Sequence, residues 1–240
     1  MNVPMLLRRL AAPIVVAAVG GVALTGCGIA GPAGDPVTQE REVDAVTTVV
    51  LTTSGTLVVT LGDTPRLSVT AGENTIDKMT TRSTDGVLIL GKNRGANLRG
   101  DMRYELTVPA LTSVIVDSSG SAEVDLTGTA SPALTSRGSG RIDARNLDAQ
   151  ALTVEIDGSG TVTTAGRAAQ QTVTVGGSGR YAAYELASER ATVTVRGSGK
   201  AEVQASGALK ADVDGSGSVT YRGNPQVDQT VDGTGSVRQG

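Results

Sequence analysis

The tripeptide Gly-Ser-Gly recurs at a nearly constant spacing through the second half of this 240-residue chain. Successive copies stand 18 to 20 residues apart, and a fixed period of that length is typical of a solenoid. Full copies begin at Gly138, Gly158, Gly177, Gly197 and Gly215, and variants are Ser118-Ser119-Gly120 and Gly233-Thr234-Gly235.

The residues before each tripeptide alternate between apolar and polar. The position four residues before it carries Val154, Val173 or Val193 in the central copies, and the next position carries a polar residue such as Glu155 or Thr174. A second alternating segment follows each tripeptide. Period-two alternation rich in β-branched residues predicts strands with one buried face.

Each repeat is therefore predicted to be a strand, a Gly-Ser-Gly corner, a second strand and a looser corner. Glycine permits a sharp turn without a Cβ clash, and stacked repeats bury apolar columns that one repeat could not bury alone. We predict an all-β fold, a single-stranded parallel, right-handed β-helix with coils of about 20 residues and an N-terminal β-rich cap. The predicted corner glycines are Gly120, Gly138, Gly140, Gly158, Gly160, Gly177, Gly179, Gly197, Gly199, Gly215, Gly217, Gly233 and Gly235.

Residues 1–26 have the pattern of a signal peptide. Arg8 and Arg9 precede an apolar run that is too short for a stable membrane span. The run ends in Leu24-Thr25-Gly26-Cys27, which resembles the lipobox of bacterial lipoproteins. Cleavage before Cys27 and acylation of that residue, with palmitate-class chains, would export the protein and anchor it to the cell membrane. The chain would then face the cell exterior or the periplasm.

Residues 27–41 are rich in Gly and Pro, and we predict a flexible tether there. Loss of Arg8 and Arg9 with the leader leaves 19 basic and 24 acidic residues. An acidic chain is a poor match for nucleic acid, so none is predicted as a partner.

Residues 42–240 are predicted to form one β-helical domain, with atypical first coils over 42–116 and the Gly-Ser-Gly repeats over 117–240. The segment 75–84 is compatible with a brief helix or with another strand. Strands are predicted at residues 46–51, 56–61, 66–71, 86–90 and 104–108.

Three stretches of the first part, followed by the serial Gly-Ser-Gly strands, resemble the auto-transporter adhesin head GIN domain family. The resemblance covers about residues 43 to 223 and implies a β-helical domain of bacterial envelope proteins, often exported or lipid-anchored. No catalytic residue is implied, and Ser118 departs from the glycine of the other corners. The stretches are Leu57-Val58-Val59-Thr60-Leu61-Gly62, Thr84-Asp85-Gly86-Val87-Leu88-Ile89-Leu90 and Tyr104-Glu105-Leu106-Thr107-Val108-Pro109-Ala110-Leu111.

The chain has no histidine, which removes Ser-His and Cys-His nucleophile pairs and imidazole metal ligands. No cofactor and no metal are predicted, although Asp214 and Asp232 are the best local candidates for calcium. Glu123 and Asp143 occupy equivalent places on adjacent coils, near the spacing of a retaining glycosidase pair. With no Trp or Phe and 4 Tyr, a sugar-stacking platform is hard to build.

The leading hypothesis is a non-enzymatic, lipid-anchored envelope protein whose β-helix presents a surface for binding or adhesion. Its partner would be the membrane, through the lipid on Cys27, together with an envelope protein or glycan. One rival is a carbohydrate-active β-helix using Glu123 and Asp143. Another is a self-assembling structural protein, a homo-oligomer formed through its C-terminal end.

Overall fold

The computed structural model describes residues 33–240, which are almost entirely β-strand. The first part carries shorter strands and one brief helix. Its elements are β1 Pro36–Arg41, β2 Thr48–Leu51, β3 Thr56–Leu61, β4 Arg66–Gly72, α1 Glu73–Ile76, β5 Met79–Thr84, β6 Val87–Lys92, β7 Arg103–Val108, β8 Ser113–Ser118 and β9 Ser121–Asp125.

The second part consists of longer strands that bend around whole coils. They are β10 Ala133–Gly138, β11 Arg141–Gly158, β12 Thr161–Gly177, β13 Arg180–Gly197, β14 Lys200–Gly215, β15 Ser218–Arg222, β16 Gln226–Gly233 and β17 Ser236–Gln239.

Adjacent coils of the second part pair in parallel with like positions in register. Val154 lies opposite Val173, and Val173 lies opposite Val193. All three are buried, whereas the intervening Glu155 is exposed. The stacked parallel coils confirm the predicted β-solenoid, because the alternation seen in each repeat becomes a continuous apolar column only when the repeats stack.

The corner glycines let the ladder of backbone hydrogen bonds continue around the turn. Gly197 has φ +108°, and the amide of Ser198 at the same corner donates to Gly177 O of the previous coil at 2.9 Å. Gly199 faces inward, where a Cβ would lie 2.5 Å from Val175 Cγ1 and 2.9 Å from Gly179 O. The first glycine of the corner is therefore required for its positive φ, and the last one because a side chain would clash with the previous coil.

The corner at Ser118 is built differently, because this residue is not glycine and has no positive φ. Its hydroxyl donates to Thr53 O at 2.8 Å and accepts from the amide of Gly120 at 3.1 Å. A side-chain hydrogen bond to the neighbouring coil replaces the backbone conformation used at the later corners.

The first coils are not stacked in chain order. Strand β2 pairs in parallel with both β6 and β8, and β3 pairs in parallel with both β7 and β9. The β2–β3 coil is therefore enclosed between the β6–β7 coil and the β8–β9 coil. The chain makes this inner coil first, passes outward to build the end of the solenoid, and then returns to continue the stack on the other side.

The end of the solenoid next to β6 and β7 is capped by antiparallel strands. Strand β5 pairs with β6, β4 pairs with β7, and β1 pairs with the free edge of β4. Arg41 at the end of β1 donates to Met79 O at 2.9 Å and to Ile76 O at 3.0 Å, which ties β1 to the segment around α1. A covered edge cannot pair with another chain.

The strands correct one expectation for this cap and resolve another. Residues 36–41 lie in β1, so the flexible tether predicted over 27–41 does not extend that far. The segment 75–84 contains both of the alternatives considered for it, the end of helix α1 and the whole of strand β5.

The opposite end of the solenoid has an uncovered edge within residues 33–240. Strand β16 pairs with β14 alone, and β17 pairs with β15 alone. Val231 continues the inward valine column below Val213 but is 41% exposed, because no further coil covers it among the described residues.

Candidate binding surface

The solenoid presents two long outer faces of very different chemistry. We call one the threonine face: it is the outer side of β6, β2, β8, β10, the C-terminal halves of β11–β14, and β16. The other is the charged face: it is the outer side of β7, β3, β9, the N-terminal halves of β11–β14, β15 and β17. Both follow from the parallel registers of the stacked coils.

The threonine face carries two central columns of outward side chains that are nearly free of charge from β6 to β13. Glu155 is the exception. In strand order from β6 to β13, the first column consists of Val87, Thr48, Ser113, Ala133, Thr153, Thr172 and Thr192. The second column consists of Ile89, Val50, Ile115, Thr135, Glu155, Thr174 and Thr194.

The capped end of the threonine face is apolar. Ile89, Val50 and Ile115 lie side by side on three adjacent strands and all point outward. Ile89 is 41% exposed, and Val50 and Ile115 are half-buried. Exposed apolar groups that lie next to one another mark interaction sites more often than scattered ones do.

The charged face alternates basic and acidic columns instead. Arg103 binds Glu105 at 2.9 Å within one strand, and Arg180 binds Glu202 on the next strand at 2.5 Å. These pairs are solvent-exposed or partly so, and such pairs add little stability but keep a surface hydrated. The contrast makes the threonine face the better candidate for contact with a partner.

Glu123 and Asp143, the predicted alternative catalytic pair, do lie on neighbouring strands of the charged face. Asp143 is the register partner of Glu123 across β11 and β9. Glu123 is exposed, Asp143 is half-buried, and neither lines the two cavities found in residues 33–240. The pair therefore sits on the outer side of the solenoid and in neither of these cavities, whereas substrates usually bind in concave sites.

Asp214 and Asp232, the local candidates for calcium, are also register partners, on β14 and β16. Both are exposed at the uncovered end of the solenoid. Within residues 33–240, no group of three or more His, Cys, Asp or Glu residues is placed to hold a metal ion.

A buried chain of polar side chains crosses the core between β12 and β14, and the sequence did not reveal it. Tyr181 donates to Gln171 Oε1 at 3.1 Å and contacts the Thr164 hydroxyl at 2.9 Å. Gln171 Nε2 donates to Ser188 Oγ at 2.7 Å, and Ser188 donates to Gln204 O at 2.5 Å. The signal that would have found it is Gln171, a polar residue in an inward column between Leu152 and Ala191.

A cavity of about 660 Å³ lies at the capped end, between α1 and the loop that follows β6. Its wall includes Lys78, Arg94 and Arg99 and contains no acidic residue. Sequence reasoning missed this site because the three cations are separated along the chain and belong to no repeat.

Residues 1–32, with Cys27 and the predicted signal peptide, lie outside the described residues. Over the part of the chain that the structure covers, no helix is both long and apolar enough to cross a membrane.

Comparison with solved structures gives the same fold at low sequence identity. A putative adhesin from Bacteroides fragilis NCTC 9343 is 22% identical, with a TM-score of 0.76, covering 88% of this chain and 100% of its own. A putative adhesin from Parabacteroides distasonis ATCC 8503 is 22% identical, with a TM-score of 0.66, covering 86% of this chain and 98% of its own.

A third structure, described as a putative lipid binding protein from Parabacteroides distasonis ATCC 8503, is also 22% identical. Its TM-score is 0.67, and the match covers 88% of this chain and 99% of its own. No curated protein matches the chain. None of these three structures is described as an enzyme.

One family profile, described as "Putative auto-transporter adhesin, head GIN domain", matches residues 45–225. That span includes the β2–β3 coil, the cap strands β4–β5 and every full Gly-Ser-Gly corner. The family is named for adhesins, which are proteins of the cell surface. The chain belongs to the head GIN domain family of putative auto-transporter adhesins.

Proposed function

We propose that this protein is a non-catalytic, lipid-anchored envelope protein that binds a partner protein through the threonine face. The observation that carries the proposal is the chemistry of the two central columns of that face. They hold one charge, Glu155, from β6 to β13 and are apolar at Ile89, Val50 and Ile115. A charged outward column, at Asp117, Arg137, Asp157 and Arg196, borders them. When a partner covers such a surface, apolar area is removed from water and few charges are buried without a counter-charge.

The threonine face is also suited to binding because its side chains are stiff. Val, Ile and Thr have restricted χ1 rotamers, so they lose little conformational entropy when a partner covers them. Each strand beneath them is paired on both sides from β2 to β14, which fixes the spacing of the columns. Solenoids use such extended surfaces for recognition.

A protein partner fits this face better than a glycan does. Sugar rings bind against exposed aromatic side chains, and the threonine face has none. Tyr104 and Tyr181 are buried, whereas Tyr184 and Tyr221 are half-buried and lie outside this face. A partner surface with few charges and an exposed apolar patch would complement the columns at Ile89 and Thr174.

Site-specific photo-crosslinking in intact cells tests the proposal. A photoreactive residue is placed at Thr174 on the threonine face, and a matched one at Thr163, which is also half-buried but lies on the charged face. We expect one protein to be captured from position 174 and not from position 163. Capture is expected to fall at least tenfold when Ile89→Lys is added, since the charge would lie in the apolar patch.

Three results would go against the threonine face. Equal capture from both positions would mean that the contact is not specific to this face. No capture from position 174 would contradict binding through the threonine face. Capture of a glycan alone would show that the partner is a carbohydrate and not a protein.

The anchor is proposed on the lipobox-like residues Leu24-Thr25-Gly26-Cys27. Acylation of Cys27 would hold the protein at the membrane surface, since acyl chains contribute about 0.8 kcal/mol per buried CH₂. Cys27→Ser is expected to release the protein from the membrane fraction and to remove acyl mass from the mature N-terminus. Unchanged fractionation with no acyl mass in the wild type would contradict the anchor.

The uncovered edge of β16 favours a second candidate function, self-association with a second copy of this chain. Antiparallel pairing of two β16 strands centred on Gln229 places Val227 opposite Val231 of the second copy. In that register Asp228 lies opposite Thr230, so no two carboxylates face each other across the pair. Cross-strand apolar pairs without like charges are favourable.

Light scattering on variants of β16 tests this register. Val231→Lys is expected to keep the protein monomeric, because it places a charge in the apolar pair. Thr230→Lys is expected to strengthen the dimer, because the new ammonium would lie opposite Asp228 of the second copy. A wild-type mass that stays monomeric at all concentrations would rule the candidate out.

A further inference from the structure

The basic cavity at the capped end lies on a firm frame of hydrogen bonds. The amide of Lys78 donates to Thr75 O at 2.9 Å, and the amide of Asn93 donates to Lys78 O at 2.8 Å. The buried Thr75 hydroxyl donates to Arg99 O at 2.9 Å. These bonds join the segment around α1 to both ends of the loop 93–99, and the open cavity of about 660 Å³ lies between them.

The charges around this cavity are uncompensated. Lys78, Arg94 and Arg99 are exposed, and among residues 33–240 none of them lies within 4.0 Å of a carboxylate. Glu73 and Asp77 belong to the same turn but do not line the cavity. Asp77 instead accepts a hydrogen bond from Gln39 at 3.2 Å. The side-chain amides of Asn74 and Asn97 lie beside these three cations. Together the five side chains can donate hydrogen bonds to the oxygens of an oxyanion.

The cavity also lies at the start of the described chain. The amide of Asn74, a residue of the cavity wall, donates to Ala33 O at 3.0 Å. Only residues 28–32 separate Ala33 from Cys27. A chain spans at most about 3.3–3.6 Å per residue. A lipid on Cys27 would therefore keep this cavity within roughly 20 Å of the membrane surface.

We propose that the cavity is an oxyanion site that binds a phosphate group, and that the phosphodiester headgroups of anionic phospholipids occupy it. Guanidinium groups bind phosphate oxygens in a bidentate manner, and an ammonium adds a point charge. The oxyanion chemistry stands on the cavity alone. The assignment to headgroups rests on the proposed anchor at Cys27, because the anchor brings the cavity to the membrane.

Occupation of this site would orient the protein. The uncovered far end mixes both signs, with Lys210 and Arg238 beside Asp228 and Asp232, so the cluster of cations that favours an anionic surface lies at the capped end. With the cavity held at the headgroups, the solenoid would extend away from the membrane from its capped end. The threonine face would then be accessible along its length.

Vesicle binding with a matched charge control tests the site. The chain from residue 27 onward carries Cys27→Ser, so that acyl insertion cannot contribute, and it contains every described residue. One variant combines Lys78→Gln, Arg94→Gln and Arg99→Gln. The control combines Arg137→Gln, Arg196→Gln and Arg238→Gln, which removes the same charge from exposed sites far from the cavity.

Binding to phosphatidylglycerol vesicles and to phosphatidylcholine vesicles is measured by sedimentation at low salt. Each juxtamembrane basic residue contributes about fivefold to affinity for an anionic surface. The cavity variant is therefore expected to lose about 100-fold on phosphatidylglycerol, with the control changing little and neither protein binding phosphatidylcholine. An equal loss in both variants would overturn the site, because net charge alone would then explain the binding.

A second arm titrates inorganic phosphate and follows the amide NMR signals of Gly95 and Asn97. Shifts in the control that are absent in the cavity variant support the oxyanion site. Phosphate binding without vesicle binding would keep the oxyanion site but overturn the headgroup as its occupant. No response to either probe would overturn the whole inference. Because the probe protein lacks the lipid, these outcomes are independent of whether Cys27→Ser alters fractionation in cells.

Discussion

The hydroxyl of Tyr181 donates a hydrogen bond to Oε1 of Gln171 over 3.1 Å, inside a solenoid whose core is mostly aliphatic. Tyr181 is fully buried and Gln171 is 1% exposed. Because the tyrosine proton is used here, the Thr164 hydroxyl donates to the tyrosine oxygen. No buried side-chain nitrogen or oxygen atom in residues 33–240 lacks a partner, so the polar chain is compatible with a stable core.

Removal of the Tyr181 hydroxyl is expected to be costly. Tyr181→Phe leaves the Gln171 carbonyl and the Thr164 hydroxyl without a partner, and an unsatisfied buried polar group costs about 1–3 kcal/mol. Urea unfolding at pH 7 measures the change. Tyr184→Phe is the control, because Tyr184 is half-buried and its ring, 4.0 Å from Arg222 Cζ, is retained. Equal stability of the two variants would contradict this account.

Alkaline pH is expected to weaken the fold through the same residue. Burial raises the pKa of Tyr181, because the phenolate would lie in the apolar interior. The neutral phenol makes its full contribution to the free energy of unfolding below about pH 10, the pKa of tyrosine in the unfolded chain. That contribution is lost as the pH rises towards the higher pKa of Tyr181 in the folded protein. The difference in unfolding free energy between wild type and Tyr181→Phe should therefore shrink between pH 8 and pH 11. A difference that stays constant would show that Tyr181 does not titrate on unfolding.

The inward glycine of each corner is expected to tolerate no side chain. Gly199→Ala would place a Cβ against Val175 Cγ1 and Gly179 O, and overpacking of this kind costs about 1–3 kcal/mol. Gly176→Ala is the matched control on the neighbouring strand, where the added Cβ meets nothing closer than 3.5 Å. Thermal unfolding should separate the two variants clearly, and similar melting temperatures would refute the steric argument.

Arg41 is expected to hold β1 in place. Burial lowers the pKa of this guanidinium, but it remains charged and donates to Met79 O and Ile76 O. Arg41→Met leaves both carbonyls without this donor, so the amides of β1 should exchange with deuterium at least tenfold faster. Arg66→Met, at an exposed position on β4, should leave that exchange unchanged. Unaltered protection in Arg41→Met would show that β1 is held by its backbone pairing alone.

The fold of the repeat region was predictable because its contacts between coils join equivalent positions of successive repeats. In a parallel stack, the partner of Val154 is the residue in the same place of the next repeat, Val173, so alignment of the repeats is the register itself. The solenoid, its corners and its apolar columns followed from that alignment. The outward columns followed too, and with them the neighbourhood of Glu123 and Asp143.

The cap was not predictable in the same way, because its strands do not repeat. Strand β2 pairs with β6 and β8, at different distances along the chain, while β4 pairs antiparallel with β7 and β5 pairs antiparallel with β6. Strand β1 begins at a proline and has no buried residue, so its composition resembled a tether. The cations Lys78, Arg94 and Arg99 meet only through this irregular topology, which is why no motif indicated the cavity.

The enclosed β2–β3 coil makes the two ends of the solenoid unequal in how they can grow. At the far end, a further coil would add by the contact between adjacent repeats, so a whole repeat can be gained or lost without disturbing the rest. At the capped end, β2 cannot complete its pairing until β8 has been made, 65 residues later by the register of Thr48 with Ser113. Closure of that long loop must precede ordered stacking. As the chain is synthesised from its N-terminus, the first coil must therefore wait for the third, whereas each later coil can pair as soon as it emerges.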